Sequence, residues 1–437
     1  MDTIHYDNII IGFGKGGKTL AKFLSTHGET VALIEKSSRM YGGTCINIGC
    51  IPSKSLIVNG EKHLTFPQAA QKKAELTGKL NQKNYHMIAD EVNAKVIDGH
   101  ARFLSDTQIE VNSQVLTAEK IFINTGATPV LPSIKGLDVS KNLVTSTELL
   151  DLTELPERLV IIGAGYIGLE FANMFQQYGC KVIVLDGAPN FLPREDEDIS
   201  QRILTDMMDY GIEFHLAAKI TEVQDNAVLI TDKEGIPQNI PADKILIATG
   251  RRANTDNLGL ENTSVEVDTR GAIIVNEKLE TSAPNIWAIG DVHGGLQFTY
   301  TSLDDFRIIK NQLFGDKTKT LNNRGFVPTS VFINPTLSNV GLTEKTAKEQ
   351  GIDYKLFKLE AAGIPKSLVL SQPKGLMKAL VDPKTNQILG ATFYSEESHE
   401  LINLIVLAMK AKVPYTVLRD QIFTHPTMSE ALNDLFA

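Results

Sequence analysis

The sequence predicts an α/β fold with two doubly wound units, and three observations lead to this prediction. A glycine-rich turn lies between an apolar, strand-like run and a helix-like run, first near Gly12 and again near Gly163. Each copy is followed by a further strand-like run that ends in Thr-Gly. The chain has 437 residues, of which 42% are hydrophobic, and this length is enough for roughly two to four domains with sizeable cores.

The first glycine-rich turn has the spacing of a dinucleotide-binding site. The segment "NIIIGFGKGGKTLAKFL" places Gly12, Gly14 and Gly17 in the pattern G-x-G-x-x-G, and the next apolar run ends on Glu35. The glycines allow a tight turn, a close approach of backbone to a pyrophosphate, and close packing of helix on strand. The helix N-terminus offers N–H groups to the phosphates. Glu35 can accept hydrogen bonds from a ribose diol.

The second turn repeats every part of the first. In "RLVIIGAGYIGLEFANMF" the glycines are Gly163, Gly165 and Gly168, and "KVIVLD" ends on Asp186. Two complete copies predict that two dinucleotides bind at once. An acidic residue at the end of the second strand favours a free 2′-hydroxyl, hence NADH. Arg194 follows eight residues later, so use of NADPH stays open.

Three further strand ends complete the predicted cofactor sites. The segments "KIFINTGATPVLP" and "KILIATGRRANT" place Thr125, Gly126 and Gly250 where doubly wound units close. In "NIWAIGDVHGG" a strand is followed by Gly290 and Asp291. Ligands of open α/β sheets bind at the carboxyl ends of the strands. We therefore expect the carboxylate of Asp291 to hold a cofactor hydroxyl.

Two of the three cysteines lie close together in "GGTCINIGC", at Cys45 and Cys50. In a regular helix this spacing gives roughly 7.5 Å of axial rise, too far for a disulfide, but Gly49 allows the backbone to distort. A bridge in such a segment would be easily reduced. A zinc site needs about four ligands. No histidine or further cysteine lies near this pair in the sequence, so no metal site is expected. A flavin can pass electrons from a nicotinamide to a disulfide, which makes a redox pair the leading interpretation over a structural or accidental pair.

Composition excludes several classes of function. The chain has 43 basic and 52 acidic residues and a net charge of −9, which argues against a nucleic-acid partner. No apolar run approaches the ~20 residues of a membrane span, and no signal-peptide pattern begins the chain. Sparse cysteines suit a reducing compartment. We expect a cytoplasmic protein in which Cys180 is a buried core residue.

Together with "GGTCINIGCIPSK", the two turns and the C-terminal "THPTMSE" resemble the class I flavoprotein disulfide reductases along the whole chain. The resemblance implies FAD and NADH or NADPH as cofactors, and a homodimer that shares its active site between subunits. It also implies four segments, which are an FAD-binding domain at 1–150 and 251–325, an NAD(P)H-binding domain at 151–250, and a C-terminal α+β dimerisation domain at 326–437.

The resemblance further implies individual roles. Cys50 would lie next to the flavin, Cys45 would be the exposed thiol that attacks the substrate, and Lys54 would pair with Glu170. Across the dimer, His425 would act on Cys45 as base and acid, oriented by Glu430. Tyr166 would cover the flavin until nicotinamide binds, unless it is only a core aromatic residue. The residues expected to contact the cofactors are Gly12, Gly14, Gly17, Glu35, Gly43, Thr44, Thr125, Gly126, Gly163, Gly165, Tyr166, Gly168, Asp186, Gly250, Gly290 and Asp291.

Longer motifs indicate the substrate. The segments "FGKGGKTLA", "NFLPREDEDI" and "GGLQFTYTSLDDFRI" are most similar to bacterial reactive-chlorine-resistance flavoproteins, which implies reduction of hypothiocyanous acid (HOSCN) to thiocyanate, with Cu(II) as a further acceptor. A C-terminal pair of adjacent cysteines, usual in mercuric reductases, is not present in "LNDLFA". The alternative enzyme is dihydrolipoamide dehydrogenase. A third hypothesis, from a different class, is a flavoprotein that senses oxidants without turnover.

Overall fold

The computed structural model describes residues 3–437. Its strands are β1 (Thr3–Ile11), β2 (Val31–Glu35), β3 (Ala94–Asp98), β4 (Arg102–Ser105), β5 (Gln108–Val111), β6 (Gln114–Ile123), β7 (Ala127–Pro129), β8 (Leu143–Val144), β9 (Arg158–Ile162), β10 (Lys181–Leu185), β11 (Glu213–His215), β12 (Lys219–Gln224), β13 (Ala227–Thr231), β14 (Pro237–Pro241), β15 (Lys244–Ile247), β16 (Arg251–Ala253), β17 (Ile286–Ala288), β18 (Thr329–Val331), β19 (Leu337–Gly341), β20 (Lys355–Glu360), β21 (Leu376–Val381) and β22 (Ile388–Tyr394). Its α-helices are α1 (Lys15–Thr26), α2 (Thr44–Asn47), α3 (Cys50–Glu61), α4 (Phe66–Ala89), α5 (Ser146–Leu150), α6 (Tyr166–Gln177), α7 (Glu197–Asp209), α8 (Thr299–Phe314), α9 (Glu344–Glu349), α10 (Pro365–Val369), α11 (Ser398–Lys410), α12 (Tyr415–Asp420) and α13 (Ala431–Leu435).

The described residues divide into two compact units. Unit 1 contains the chain up to Leu131 together with 145–154 and 250–324. Unit 2 contains 132–144, 155–249 and 325–437. The boundaries at 150, 250 and 325 stay predictions of the sequence.

Unit 1 is built on a mixed sheet that carries the first glycine-rich turn. The strands run in the order β3-β2-β1-β6-β5-β4, and β17 also pairs with β6. β1 is parallel to both β2 and β6, while β5 is antiparallel to β6. Successive residues of β1 face opposite sides of the sheet, so Ile9 and Ile11 enter one hydrophobic cluster and Ile10 enters another. A strand buried on both faces explains its continuous apolar run.

Unit 2 contains a second parallel sheet and a C-terminal antiparallel sheet. The parallel strands run β11-β10-β9-β15-β8, and the second glycine-rich turn joins β9 to α6. The antiparallel strands run β18-β19-β22-β21-β20. Helix α11 places Ile402 and Ile405 in one cluster with Met377 and Phe393 of that sheet. The α/β fold class predicted from the sequence is confirmed.

Unit 2 contains an ion-pair cluster in which the buried Lys378 meets the buried Asp196 and the partly buried Asp198 and Glu344. The Nζ atom of Lys378 lies 2.7 Å from Asp196 Oδ2, 2.8 Å from Asp198 Oδ1 and 2.5 Å from Glu344 Oε1. Asp196 also accepts backbone N–H groups at the start of α9. The cluster therefore joins α7 to the C-terminal sheet. Across residues 3–437, no helix has both the length and the apolar character that crossing a membrane requires.

Candidate active site

The two neighbouring cysteines lie on either side of a helix break. Helix α2 ends at Asn47 and α3 begins at Cys50, with Gly49 as its N-cap. A Cβ atom on Gly49 would lie 3.0 Å from the carbonyl oxygen of Thr44, so glycine allows the close approach of the two helix ends. The distortion expected at Gly49 is present, and it replaces the regular helix that would keep Cys45 and Cys50 apart.

Both cysteines are free thiols that hydrogen-bond to each other. The Sγ atom of Cys50 also lies 3.9 Å from Thr299 Oγ1, at the start of α8. The hydrogen bond from Cys50, together with Thr299 and with Lys18 and Lys54, lowers the pKa of Cys45 to about 6, although burial opposes the shift. The same hydrogen bond raises the pKa of Cys50. The pair therefore shares one proton, with Cys45 the more acidic thiol.

The expected roles, Cys45 as the exposed thiol that attacks the substrate and Cys50 as the thiol next to the flavin, stay predictions. Cys45 is half-buried, whereas Cys50 is exposed. Cys50 is the first residue of α3, so no preceding helical turn covers its side chain. The sequence motif carries no information on this difference.

The glycines of the first turn pack against one asparagine. Gly12 has φ +104°, and a Cβ atom there would lie 2.4 Å from the carbonyl oxygen of Asn124. The backbone N–H of Gly17 donates to Asn124 Oδ1 at 3.0 Å, and Asn124 Nδ2 donates to the carbonyl of Ile289 at 2.7 Å. Asn124 therefore ties the turn to the ends of β6 and β17. It is a positioning residue that the sequence analysis missed.

Three further predicted residues of unit 1 lie beside the same turn. Glu35 accepts the N–H of Phe13 at 3.0 Å, which places its carboxylate beside the glycines. Gly43 has φ +78°, and a Cβ atom there would lie 2.7 Å from the Cα of Gly14. The hydroxyl oxygen of Thr125 is buried and has no hydrogen-bond partner. A narrow glycine-walled turn with an unused hydroxyl beside it fits the polar, close-packed contacts of a bound dinucleotide.

The two Thr-Gly turns meet in unit 1. β7 and β16 pair antiparallel, and the N–H of Val130 donates to the carbonyl of Gly250 at 3.0 Å. The space beside Gly126 is open, because a Cβ atom on this residue would find nothing within 4 Å. Asp291 lies in a 3₁₀ turn after β17. Burial raises its pKa, and the nearby Arg251 acts in the opposite direction.

The second glycine-rich turn has the same construction. Gly163 has φ +111°, and a Cβ atom there would lie 2.6 Å from the carbonyl oxygen of Ala248. A Cβ atom on Gly168 would lie 2.1 Å from the carbonyl oxygen of Gly163, whereas one on Gly165 would meet nothing within 4 Å. Asp186 accepts the N–H of Ala164 at 2.6 Å. Close packing at two glycines and open space at the third fit the expected cofactor approach.

Tyr166 is held by a glutamate that the sequence analysis did not select. Its hydroxyl donates to Glu195 Oε1 at 2.5 Å, and Asn339 Nδ2 donates to Glu195 Oε2 at 3.1 Å. Burial and Glu195 raise the pKa of Tyr166. Arg194 is exposed. The role of Tyr166 over the flavin stays a prediction.

The C-terminal pair has the expected contact. His425 Nδ1 lies 2.8 Å from Glu430 Oε2, and Glu430 Oε1 accepts the N–H of Thr427 at 3.1 Å. The hydrogen bond from His425 lowers the pKa of Glu430. The imidazole is exposed, so its second nitrogen can face another molecule.

Two predicted contacts stay predictions. Lys54 belongs to unit 1 and Glu170 to unit 2, and Glu170 Oε1 accepts the N–H of Phe332 at 2.9 Å. The action of His425 on Cys45 was predicted across the dimer, between two subunits, and it also stays a prediction. The expectation for Cys180 is confirmed, because it is 3% exposed.

Comparison with known protein families shows to which family the chain belongs. Residues 6–305 match the pyridine nucleotide-disulphide oxidoreductases, and residues 327–436 match the dimerisation domain of that family. The chain belongs to this family. Its members use FAD and NAD(P)H, and the two glycine-rich turns described above fit these two cofactors.

Individual relatives are similar over nearly the whole chain. The probable pyridine nucleotide-disulfide oxidoreductase RclA of Escherichia coli K12 is 48% identical, over 99% of each chain. A mercuric reductase of Staphylococcus aureus is 33% identical, over 98% of this chain and 81% of its own. A dihydrolipoyl dehydrogenase of Mycobacterium bovis is 30% identical, over 99% of this chain and 97% of its own.

A solved structure agrees with the fold. It is the Cu(II) complex of the HOCl-induced flavoprotein disulfide reductase RclA from E. coli, with a TM-score of 0.95 and 47% identity. The match covers 100% of this chain and 99% of that chain. The protein is therefore a flavoprotein disulfide reductase similar to RclA.

Proposed function

We propose that the protein uses NADH or NADPH to reduce hypothiocyanous acid to thiocyanate through Cys45 and Cys50. The observation that carries the proposal is the thiol pair, in which one thiol is a hydrogen-bond donor to the other and the pKa of Cys45 is lowered to about 6. A thiolate is the nucleophilic form of cysteine. At neutral pH Cys45 is thus prepared to attack an electrophilic sulfur, with Cys50 beside it to resolve the product.

The reaction balances with these two residues alone. The Cys45 thiolate attacks the sulfur of HOSCN, so an S–S bond forms and hydroxide leaves. The Cys50 thiol then attacks Cys45, releases thiocyanate, and gives its proton to the hydroxide to form water. The sum is one thiolate, one thiol and HOSCN converted to a disulfide, thiocyanate and water. The disulfide returns to a thiolate and a thiol when it takes two electrons and one proton.

The reducing half of the cycle requires both cofactors. Bound FAD supplies the passage of the electron pair from the nicotinamide to the disulfide. Around it we propose Glu35, Gly43, Thr125 and Asp291 as contacts. NADH is the expected donor, since Asp186 suits a free 2′-hydroxyl.

The dimerisation domain supports a shared active site. We infer a homodimer in which His425 of the partner subunit moves protons at Cys45, as a positioned imidazole does for a thiol. Glu430 keeps that imidazole oriented through the 2.8 Å contact. The proposed location is the cytoplasm, where reduced nicotinamides are regenerated. The similarity to RclA, described as HOCl-induced, supports a role in defence against reactive chlorine species.

A second candidate is dihydrolipoamide dehydrogenase. It is favoured by the 30% identity to a dihydrolipoyl dehydrogenase, an enzyme of the same family. The 48% identity to RclA is higher, and it supports an RclA-like reductase over this alternative. Cu(II) belongs among the acceptors to be tested, because a solved RclA structure is a Cu(II) complex.

A substrate panel tests the proposal. NADH oxidation by the holoenzyme is measured with HOSCN, lipoamide, oxidised glutathione and Cu(II). We expect fast turnover of HOSCN by the wild-type enzyme. Cys45→Ser and Cys50→Ser should each lower this turnover by more than about 100-fold and retain the flavin absorbance. Cys180→Ala is the matched control, since this buried thiol lies outside the site and its loss should leave turnover unchanged.

Other outcomes separate the alternatives. Fast turnover with lipoamide and slow turnover with HOSCN would overturn the substrate assignment in favour of dihydrolipoamide dehydrogenase. Bound flavin without turnover of any acceptor would indicate an oxidant sensor. Activity that survives both serine substitutions would reject the thiol pair itself.

A further inference from the structure

Lys18 is a buried cation that the motifs did not identify. It lies in α1, directly after the last glycine of the first turn, and is 4% exposed. Burial of an ammonium group costs free energy unless an anion or several hydrogen bonds compensate for lost water. The surroundings of Lys18 therefore indicate what its charge does.

The contacts of Lys18 are neutral. Its Nζ atom donates to the carbonyl oxygen of Gly42 at 3.3 Å and to Asn84 Oδ1. Within residues 3–437, no carboxylate lies at ion-pair distance from this ammonium. Gly42 belongs to the turn that leads into Cys45. Its hydrogen bond therefore holds the ammonium group of Lys18 beside the segment that contains the thiol.

Lys18 and Cys45 influence each other. Burial, and next the neighbouring Lys15, lower the pKa of Lys18 to about 8, while Cys45 acts in the opposite direction. The groups that lower the pKa of Cys45 are Cys50, Thr299, Lys18 and Lys54. Of these, the two lysines are the cations. Among the described residues, no carboxylate neutralises Lys18, so its charge is available to a thiolate.

We propose that the ammonium of Lys18 keeps Cys45 in the thiolate form in the reduced enzyme. Lys18 is then a positioning residue that acts through Cys45, and the inference rests on the proposed function of that thiol. When Cys45 ionises, its proton passes to water and the negative sulfur gains the attraction of a cation that pairs with no carboxylate of residues 3–437. A lysine next to a cysteine is one of the known ways to lower a thiol pKa.

Alkylation of the reduced holoenzyme tests the inference without any substrate. The rate at which iodoacetamide labels Cys45 is followed by peptide mass spectrometry from about pH 5 to about pH 9. In wild type the rate should reach its plateau near neutral pH. Lys18→Met and Lys18→Gln should both shift the profile upward by ~1 pH unit, which lowers the labelling rate at about pH 6 by ~5-fold.

The pair of substitutions separates charge from shape. Gln keeps an N–H donor for the Gly42 carbonyl but has no charge, whereas Met has neither. Lys22→Met is the matched control, because Lys22 lies one turn further along the same helix and pairs with Glu91. It should label like wild type.

Several results would overturn the inference. A wild-type profile in Lys18→Gln with a shifted one in Lys18→Met would assign Lys18 a packing role only, and wild-type profiles in both would remove any role. If neither variant folds, Asn84→Asp places a carboxylate beside the retained Lys18. We expect it to shift the Cys45 profile upward, and an unchanged profile would reject the inference.

The outcome is distinct from that of the substrate panel. Labelling does not require HOSCN, so a failure of HOSCN turnover in wild type would reject the proposed substrate and leave the labelling result interpretable. Conversely, fast HOSCN turnover with no effect of Lys18 on labelling would reject this inference alone.

Discussion

Two buried lysines in this protein have opposite surroundings. Lys378, in the C-terminal sheet, and Lys18, beside the first glycine-rich turn, are 0% and 4% exposed. Three carboxylates surround Lys378. Although burial acts to lower its pKa, hydrogen bonds to these acids raise it overall. The ammonium of Lys18 instead donates to the carbonyl oxygen of Gly42 and to Asn84 Oδ1, and burial lowers its pKa to about 8.

The comparison separates a structural charge from a functional one. The charge of Lys378 is neutralised by Asp196, Asp198 and Glu344, and these ion pairs connect α7 and α9 to β21. Within residues 3–437, the charge of Lys18 has no carboxylate partner, and in our proposal it stabilises the thiolate of Cys45. A charge that is buried without compensation costs stability, and such costs concentrate at functional sites.

The largest expected effect is the loss of stability when the cation is removed from the ion-pair cluster. Lys378→Met leaves three carboxylates close together in a buried site, and breaking a buried ion pair in this way costs about 3–5 kcal/mol. The free energy of unfolding is measured by chemical denaturation of the holoenzyme. Lys358→Met is the control, since Lys358 pairs with Asp198 and Glu344 but its side chain is 43% exposed, and it should cost about 1 kcal/mol or less.

The pH dependence of the free energy of unfolding in wild type and in Lys378→Met tests whether the lost charge causes the loss of stability. Burial raises the pKa values of Asp198 and Glu344, but their hydrogen bonds from lysine lower both below the usual 3.8 and 4.5. Their contribution to stability is present above these values and is lost as the pH falls through the lowered ones. The difference between wild type and Lys378→Met should therefore shrink below about pH 4. A difference that stays constant in acid would assign the loss to packing rather than charge.

A smaller effect on stability is expected at the other lysine. Lys18→Met removes the cost of a buried charge but leaves the acceptors on Gly42 and Asn84 unpaired. These two effects oppose each other, so the free energy of unfolding should change by no more than ~1 kcal/mol. The same denaturation experiment measures it. A loss as large as that of Lys378→Met would contradict the comparison, because Lys18 would then be structural.

The sequence predicted the parts of the site that depend on local backbone. Gly12 and Gly163 occupy positive φ values in tight turns, and Glu35 and Asp186 accept N–H groups from those turns. These features follow from glycine spacing within one β-α-β segment, which is why a motif can contain them. The contact of His425 with Glu430 is also local, five residues apart.

The parts that the sequence analysis missed depend on contacts between distant segments. Asn124, Thr299 and Glu195 each meet a partner that lies more than a hundred residues away or in another element, and no spacing records this. A signal was present for the two lysines. Lys378 interrupts the apolar strand "LMKALV", and Lys18 is placed at helical spacing from the buried Ala21 and Ser25. Each position predicts a buried lysine, but the sequence does not indicate its partner.

The neighbour of Cys50 could not be predicted for a related reason. The motif fixes the separation of the two thiols along the chain, whereas their contacts depend on which elements pack beside each sulfur. α8 brings Thr299 to Cys50 from nearly 250 residues away. Only the folded chain determines that arrangement.

The most direct test of the account is a count of free thiols at Cys45 and Cys50 through one cycle. The holoenzyme is reduced with NADH, alkylated before or after addition of one equivalent of HOSCN, and analysed by peptide mass spectrometry. We predict that both cysteines are labelled after NADH, and that both are protected after HOSCN as a Cys45–Cys50 disulfide. Labelling that is the same before and after the oxidant would contradict the claim that this pair carries the electrons.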